Sequence, residues 1–238
     1  MKGLRHITNA VLLIFFTAIS GLAQDIELKK EDRNLSGFDR IILNGEFDVR
    51  LTQGETEKVV VEAHEKVLPI INTKVYDGVL KINSFERIRR AKVIRIYITV
   101  KDIKSILVMG TINLFADDVL KFKDLELTFT GLSNSRLDIE AEKLSCFVTG
   151  ASDVVLSGKA EVFDLKVSDE GLIDAFEFEP QICKMIVTGI GDVSVNVMKE
   201  LEMVVTGEGN VYYTGEPEKE TKIVSGSGFI IKKRLSDK

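Results

Sequence analysis

Val187-Thr188-Gly189-Ile190-Gly191-Asp192-Val193 is one copy of a unit that recurs down most of this chain. Gly189 has counterparts at Gly45, Gly110, Gly131, Gly150, Gly207 and Gly226, and Asp169 takes the same place in one copy. From Gly110 onward the intervals are 21, 19, 19, 20, 18 and 19 residues. A fixed period near ~20 residues is the signature of a solenoid, in which each repeat contacts only its neighbours. Two residues before each turn position sit Leu43, Val108, Phe129, Val148, Val167, Val187, Val205 and Val224. Four before it sit Ile41, Ile106, Leu127, Cys146, Leu165, Met185, Met203 and Lys222, and four after it Val49, Leu114, Ser135, Val154, Ile173, Val193, Val211 and Ile230. Alternation on both sides of a turn predicts strand, turn, strand, with one face buried. Such a coil cannot bury that face alone, whereas about eight coils stacked in parallel at ~4.8 Å share one core. The predicted fold is all-β, a parallel β-solenoid of about 19-residue coils.

Two further columns accompany the turn. The residue before it is small and hydroxylated, at Thr130, Thr149, Ser168, Thr188, Thr206 and Ser225. Its outward parity predicts a surface Ser/Thr ladder, either a β-favouring solvated strip or a contact surface for sugar or protein. Three residues after the turn come Asp48, Asn113, Asn134, Asp153, Asp192 and Asn210. The turn glycines are expected to supply positive φ, and the Asn and Asp side chains to bond back to the turn backbone.

The chain opens with a basic Met1–His6, an apolar run at Ala10–Ile19 and small residues at Gly21 and Ala23. This order predicts a secretory signal peptide over residues 1–23, cleaved after Ala23 with Ser20 as the fallback. The apolar run is short for an uncharged membrane span, which needs ~20 residues, and no Cys stands near the cleavage site for a lipid anchor. Removal of 23 of the 238 residues leaves 215, and loss of Lys2 and Arg5 takes the net charge from −5 to −7. An acidic exported chain without a basic cluster is a poor ligand for nucleic acid or anionic membrane. The expected destination is periplasm, cell surface or medium, with no stable membrane insertion after cleavage. With two cysteines, the chain is not a disulfide-stapled scaffold.

Residues 24–36 are polar and read as a flexible leader, and 37–232 as one solenoid domain followed by a tail at 233–238. Residues 52–104 interrupt the repeat after its first copy. They read as extra strands that extend the sheets and cover the N-terminal end. Within them, His64–Asn72 suggests a helical turn ended by Pro69, and Asp77-Gly78 between alternating runs predicts a hairpin. Glu86–Lys92 reads as a charged loop. The last copy decays, with Glu220 and Lys222 at core positions, as a capped solenoid requires.

Few residues invite a chemical role. His64 is the only histidine beyond the signal peptide, so a His-based triad or metal centre lacks its members. Asp153 and Asp192 suggest calcium, but they lie two coils apart with Leu172 between them, which favours turn capping. Glu170 with Asp192, or Asp169 with Asp174, are conceivable carboxylate pairs for sugar hydrolysis, yet no spacing singles them out. The G-x-G pairs recur in the later coils with no helix behind them, so they are not phosphate loops. No catalytic, cofactor or metal residue is assigned. Cys146 and Cys183 have inward parity but stand two coils and two residues apart, a Cα separation of ~11–12 Å from strand geometry. That exceeds the ~7 Å a disulfide spans. Both are expected to be buried free thiols.

The pattern R-x-L-x-G-F-D-x-I-x-L-x-G-x-F-D-V-x-L-x-Q-G at Arg33–Gly54, the T-G-x-G-[DN]-V copies and the closing S-G-S-G resemble a family of exported bacterial proteins. The family is the "putative auto-transporter adhesin, head GIN domain" group, and the resemblance extends over about residues 33–231. It implies a β-helix of pectin-lyase-like shape without lyase catalytic residues, and adhesion at the cell surface. No C-terminal segment resembles a membrane barrel, and the copies at Met109-Gly110-Thr111 and Ser168-Asp169 each lack one glycine. The expected function is an exported envelope or surface binding protein, adhesion-like and non-catalytic, whose partner is an unknown protein or glycan. The alternatives are a polysaccharide lyase or hydrolase and a structural or regulatory envelope module.

Overall fold

In the computed structural model, residues 27–84 and 93–234 are described. The proposed signal peptide, the charged loop at Glu86–Lys92 and most of the tail lie outside them. In chain order the strands are β1 Leu28–Asp32, β2 Arg40–Gln53, β3 Lys58–His64, β4 Ile71–Tyr76, β5 Val79–Ser84, β6 Arg95–Val100, β7 Ser105–Ala116 and β8 Leu120–Phe129. They continue as β9 Leu132–Val148, β10 Ser152–Val167, β11 Leu172–Val187, β12 Val193–Asn196, β13 Glu200–Val205, β14 Val211–Thr214, β15 Lys219–Val224 and β16 Ile230–Lys232.

Each coil runs up one limb to the glycine corner and away along a second limb. We call the limb before the corner B and the limb after it A. Pairing between coils is parallel and in register: Val148, Val167, Val187 and Val205 are consecutive partners, as are Ser135 and Val154. The three apolar columns read from the repeat all point inward. Leu43, Val108, Phe129, Val148, Val167, Val187 and Val205 are at most 1% exposed, so they form a continuous dry seam. Phe163 and Phe178 meet edge to face inside it, centroids 5.2 Å apart.

Residues 52–104 do more than cover an end. Strands β5 and β6 form a coil of their own, stacked on the opposite side of β2 from β7. Leu80 and Ile82 pair with Ile41 and Leu43, and Ile96 and Ile98 with Val49 and Leu51. The order of coils in space therefore differs from their order in sequence. Strand β3 then pairs antiparallel with β6, and β4 with β5. The Asp77-Gly78 hairpin is present, with φ of +49° and +71° as a type I′ turn requires.

Two local expectations are corrected. Residues 24–36 are not wholly a flexible leader, because β1 pairs antiparallel with β3. Its Lys29 and Asp32 reach Glu65 and Lys58 at 2.9 and 3.2 Å, so a charged strand protects this sheet edge. Pro69 does not end a helical turn. It sits at the start of a 3-10 turn, Leu68–Ile70, where its missing N–H costs nothing.

The corner glycines also answer a different demand from the expected one. Of those that mark the repeat, only Gly45 and Gly110 have positive φ. Gly150, Gly189 and Gly207 face the corner of the preceding coil so closely that a Cβ would lie 2.3, 2.2 and 2.0 Å from a carbonyl oxygen of Gly131, Asp169 and Gly189. Glycine is required there because backbone stacks directly on backbone. Four members of the Asn and Asp column likewise bond between coils. Asn113 Nδ2 donates to Asp48 Oδ1 at 2.7 Å, and Asn210 donates to Asp192 Oδ1 through both its backbone N–H and its Nδ2.

Candidate functional site

Parallel register converts each outward position into a straight column along the solenoid axis. Limb B carries three such columns on its solvent face. The first is the hydroxyl ladder, where Thr130, Thr149, Ser168 and Thr188 are exposed residues. Each backbone N–H binds the carbonyl of the preceding coil at 2.8–3.0 Å, and each hydroxyl turns its proton toward that same carbonyl at 3.4 Å. The hydroxyl oxygens consequently offer lone pairs to solvent once per coil.

The second column was not recognised in the sequence. Three residues before each corner lie Ile42, Leu107, Phe147, Ile186, Val204 and Ile223, joined by Thr128 and Lys166 in an unbroken register. These are outward positions, yet most are apolar, and Ile186 and Ile223 are 40% and 54% exposed. The signal was available as an apolar residue of odd offset in most copies. It was masked because alternation assigns odd offsets to solvent, where single apolar residues are unremarkable. Lys166 Nζ stands 5.5 Å from the Phe147 ring centroid, within cation–π reach.

The third column, Glu126, Ser145, Asp164, Lys184 and Glu202, is charged and partly self-neutralised: Lys184 pairs with Glu202 at 3.9 Å, and Lys143, two residues off the register, reaches Asp164 at 2.8 Å. Between the second and third columns runs an open groove of about 540 Å³ that includes Phe147, Lys166, Ile186 and Val204. Its floor is strand backbone held by the ladder, so its shape is fixed before any ligand arrives.

The other sequence candidates do not converge. Asp169 and Glu170 are exposed at the glycine corner. Asp174 accepts from its own neighbour Phe176 N–H at 3.3 Å, while Asp192 is engaged by Asn210. Asp153 pairs in register with Leu172, and Ile173 with Val193, so a leucine separates Asp153 from Asp192. His64 Nδ1 accepts from Lys66 N–H at 3.2 Å at the end of β3. Among the described residues there is no group of three or more His, Cys, Asp or Glu side chains placed to hold a metal ion.

Both cysteines are free and buried. Cys146 pairs in register with Leu165, and Cys183 with Phe163, which places them two coils and two residues apart. Burial pushes the Cys146 thiol up to about 12. Burial, with a smaller contribution from the nearby Asp164 charge, raises Cys183 further. Both are therefore unreactive core side chains.

These features define a parallel β-solenoid with a continuous, solvent-facing strip along one sheet. The family described as "Putative auto-transporter adhesin, head GIN domain" matches residues 37–217, and this chain belongs to it. A solved "putative adhesin" from Bacteroides fragilis is similar at 21% identity and a TM-score of 0.77, over 87% of this chain and 97% of that one. A "putative adhesin" from Parabacteroides distasonis is 21% identical with a TM-score of 0.66, over 88% and 98%. A "putative lipid binding protein" from the same species is 19% identical with a TM-score of 0.67, also over 88% and 98%. At these identities the likeness concerns the fold. No curated protein matches the chain.

Proposed function

We propose that this protein is exported and acts at the cell envelope or surface by binding, without catalysis, and that the limb B strip receives a linear glycan. The observation that carries the ligand class is the repeat of the hydroxyl ladder. Its acceptor oxygens recur once per coil, ~4.8 Å, close to the advance of one sugar unit along an extended chain. Same-side groups of an extended polypeptide recur at ~6.6 Å and fall out of step within two coils. Sugar hydroxyls supply the donors that the ladder lacks, and the exposed Ile186 with the half-buried Phe147 and Val204 offer the apolar contact that sugar C–H faces use. Membership of the adhesin family supports a binding role at the surface. Among the described residues no helix is long and apolar enough to cross a membrane.

The test is a glycan array probed with the 24–238 protein, alongside immobilised envelope proteins, with Ile186→Glu/Val204→Glu as the comparison. Retention on linear glycans, lost in the double variant, supports the reading. Retention on proteins alone overturns the ligand class, and release of reducing ends from a bound glycan overturns the absence of catalysis.

A further inference from the structure

The two ends of the solenoid are finished differently. At the N-terminal end, antiparallel strands β1, β3 and β4 lie over the last parallel coil. At the C-terminal end, β15 pairs only with β13, and β16 only with β14, among the described residues. All six residues of β15 are exposed. The core seam ends in the open here: Val205 is 0% exposed, but its in-register successor Val224 is 46% exposed. Ile223, Phe229 and Ile231 add 54%, 66% and 43% in the same coil.

The free edge has a defined pattern. Lys219 and Ser225 donate their N–H groups back to Lys199 and Val205, so the alternate residues Glu220, Lys222 and Val224 direct their backbone groups outward. In β16, Phe229 and Lys233 bond back to β14, which leaves Ile230 and Lys232 directed outward. This is an unpaired, partly apolar strand edge, a template for another strand.

We propose that this edge is a self-association surface on which a second copy of the chain pairs end to end about a two-fold axis. Charge selects the register. Antiparallel partners share a sheet face, so the axis on β15 passes through Glu220, Thr221 or Lys222. An axis at Glu220 or at Lys222 sets two like charges directly opposite each other, which is destabilising. An axis at Thr221 sets Glu220 against Lys222 of the second copy, and Lys222 against its Glu220. Both members of each pair direct their backbone groups across the edge, as an antiparallel hydrogen-bonded pair requires. Thr221 lies five residues before Gly226 and Ile231 five after it. The same axis therefore centres β16 on Ile231 and joins Ile230 to Lys232 of the second copy.

Pairing in this way continues both sheets through two copies and covers Val224 and Ile230. It also merges the Glu220–Lys222 ion pairs into a neutral four-membered ring. The limb B strips of the two copies then lie on one assembly, which multiplies avidity for a polymer.

The opposing reading is that the inward charges only guard the edge. In the monomer Tyr213 donates to Glu220 at 3.3 Å, and Lys222 Nζ sits 4.4 Å over its ring. Charge-swap variants of the 24–238 protein decide between them in sedimentation velocity across a micromolar concentration series, with thermal unfolding to confirm folding. The wild type is expected to reach twice the monomer mass. Glu220→Lys and Lys222→Glu each place like charges opposite one another and weaken the dimer by ~10-fold or more. The double swap restores it. A wild type that stays monomeric throughout, or a double variant no tighter than the singles, overturns the proposal.

Discussion

Val187 and Thr188 are neighbours in sequence with opposite fates: the first is fully buried, the second exposed with its hydroxyl on the Val167 carbonyl. Val187→Asp buries an unpaired charge and is expected to cost ~3–5 kcal/mol, whereas Thr188→Asp should stay within ~1 kcal/mol. Equal shifts of the thermal midpoint would refute the inward and outward assignment. Gly207 is a second residue-scale case, because its added Cβ meets the Gly189 carbonyl oxygen at 2.0 Å. Gly207→Ala is expected to destabilise by ~2 kcal/mol or more, since backbone in two coils must move apart. The column of glycines was legible, but its cause was not. A glycine that permits positive φ and one that admits a neighbouring backbone look alike until the register is known. Ser135 runs the other way. Its hydroxyl is buried without a partner, so Ser135→Ala should raise stability by ~1 kcal/mol in denaturant unfolding.

At the scale of elements, β3 and β6 are tied by a polar contact on the outer side of the N-terminal sheet. Tyr97 donates to Glu62 at 2.7 Å, and Arg95 approaches the same carboxylate at 3.4 Å. The Tyr97 bond, ahead of the Lys30 and Arg95 charges, holds the Glu62 carboxyl below the usual carboxylate range. The same bond raises Tyr97. A lowered acid contributes stability above its unfolded pKa, ~4.3, and that contribution is lost as pH falls through the folded value. The raised phenol contributes below ~10 and loses its contribution as pH climbs past the folded value. Tyr97→Phe is therefore expected to be less stable than wild type at neutral pH, with the gap closing in acid. A gap independent of pH in urea unfolding would show that the bond is not the cause. The two-residue hairpin was plain in the sequence because Asp-Gly names its turn. The coil made by β5 and β6 was not, since it lacks the glycine corner that marks the others. Strand β1 was also missed, because a charged edge strand and a flexible leader share the same composition.

For the whole molecule, the period fixes both the core and the distances within it. Cys146 and Cys183 are expected to react with thiol reagents only after denaturation, and mass mapping without reductant should show no bridge between them. The fold was legible because most coils repeat the same pattern, so a departure in one copy is outvoted by the rest. The candidate site was legible only in its hydroxyl column. Its apolar column is a property of stacking: Ile42, Leu107, Phe147, Ile186 and Val204 are far apart in sequence and become a strip only when the coils are in register. If the strip binds as proposed, it, and neither the glycine corner nor limb A, receives the ligand. Hydroxyl-radical footprinting of the 24–238 protein, with and without its best-binding oligosaccharide, locates the contact surface. Protection is expected at Phe147, Ile186 and Val204, with Tyr212 and Phe229 on limb A unchanged. Protection confined to limb A or to Ile190 at the corner, or no protection by any linear glycan, would contradict the proposal.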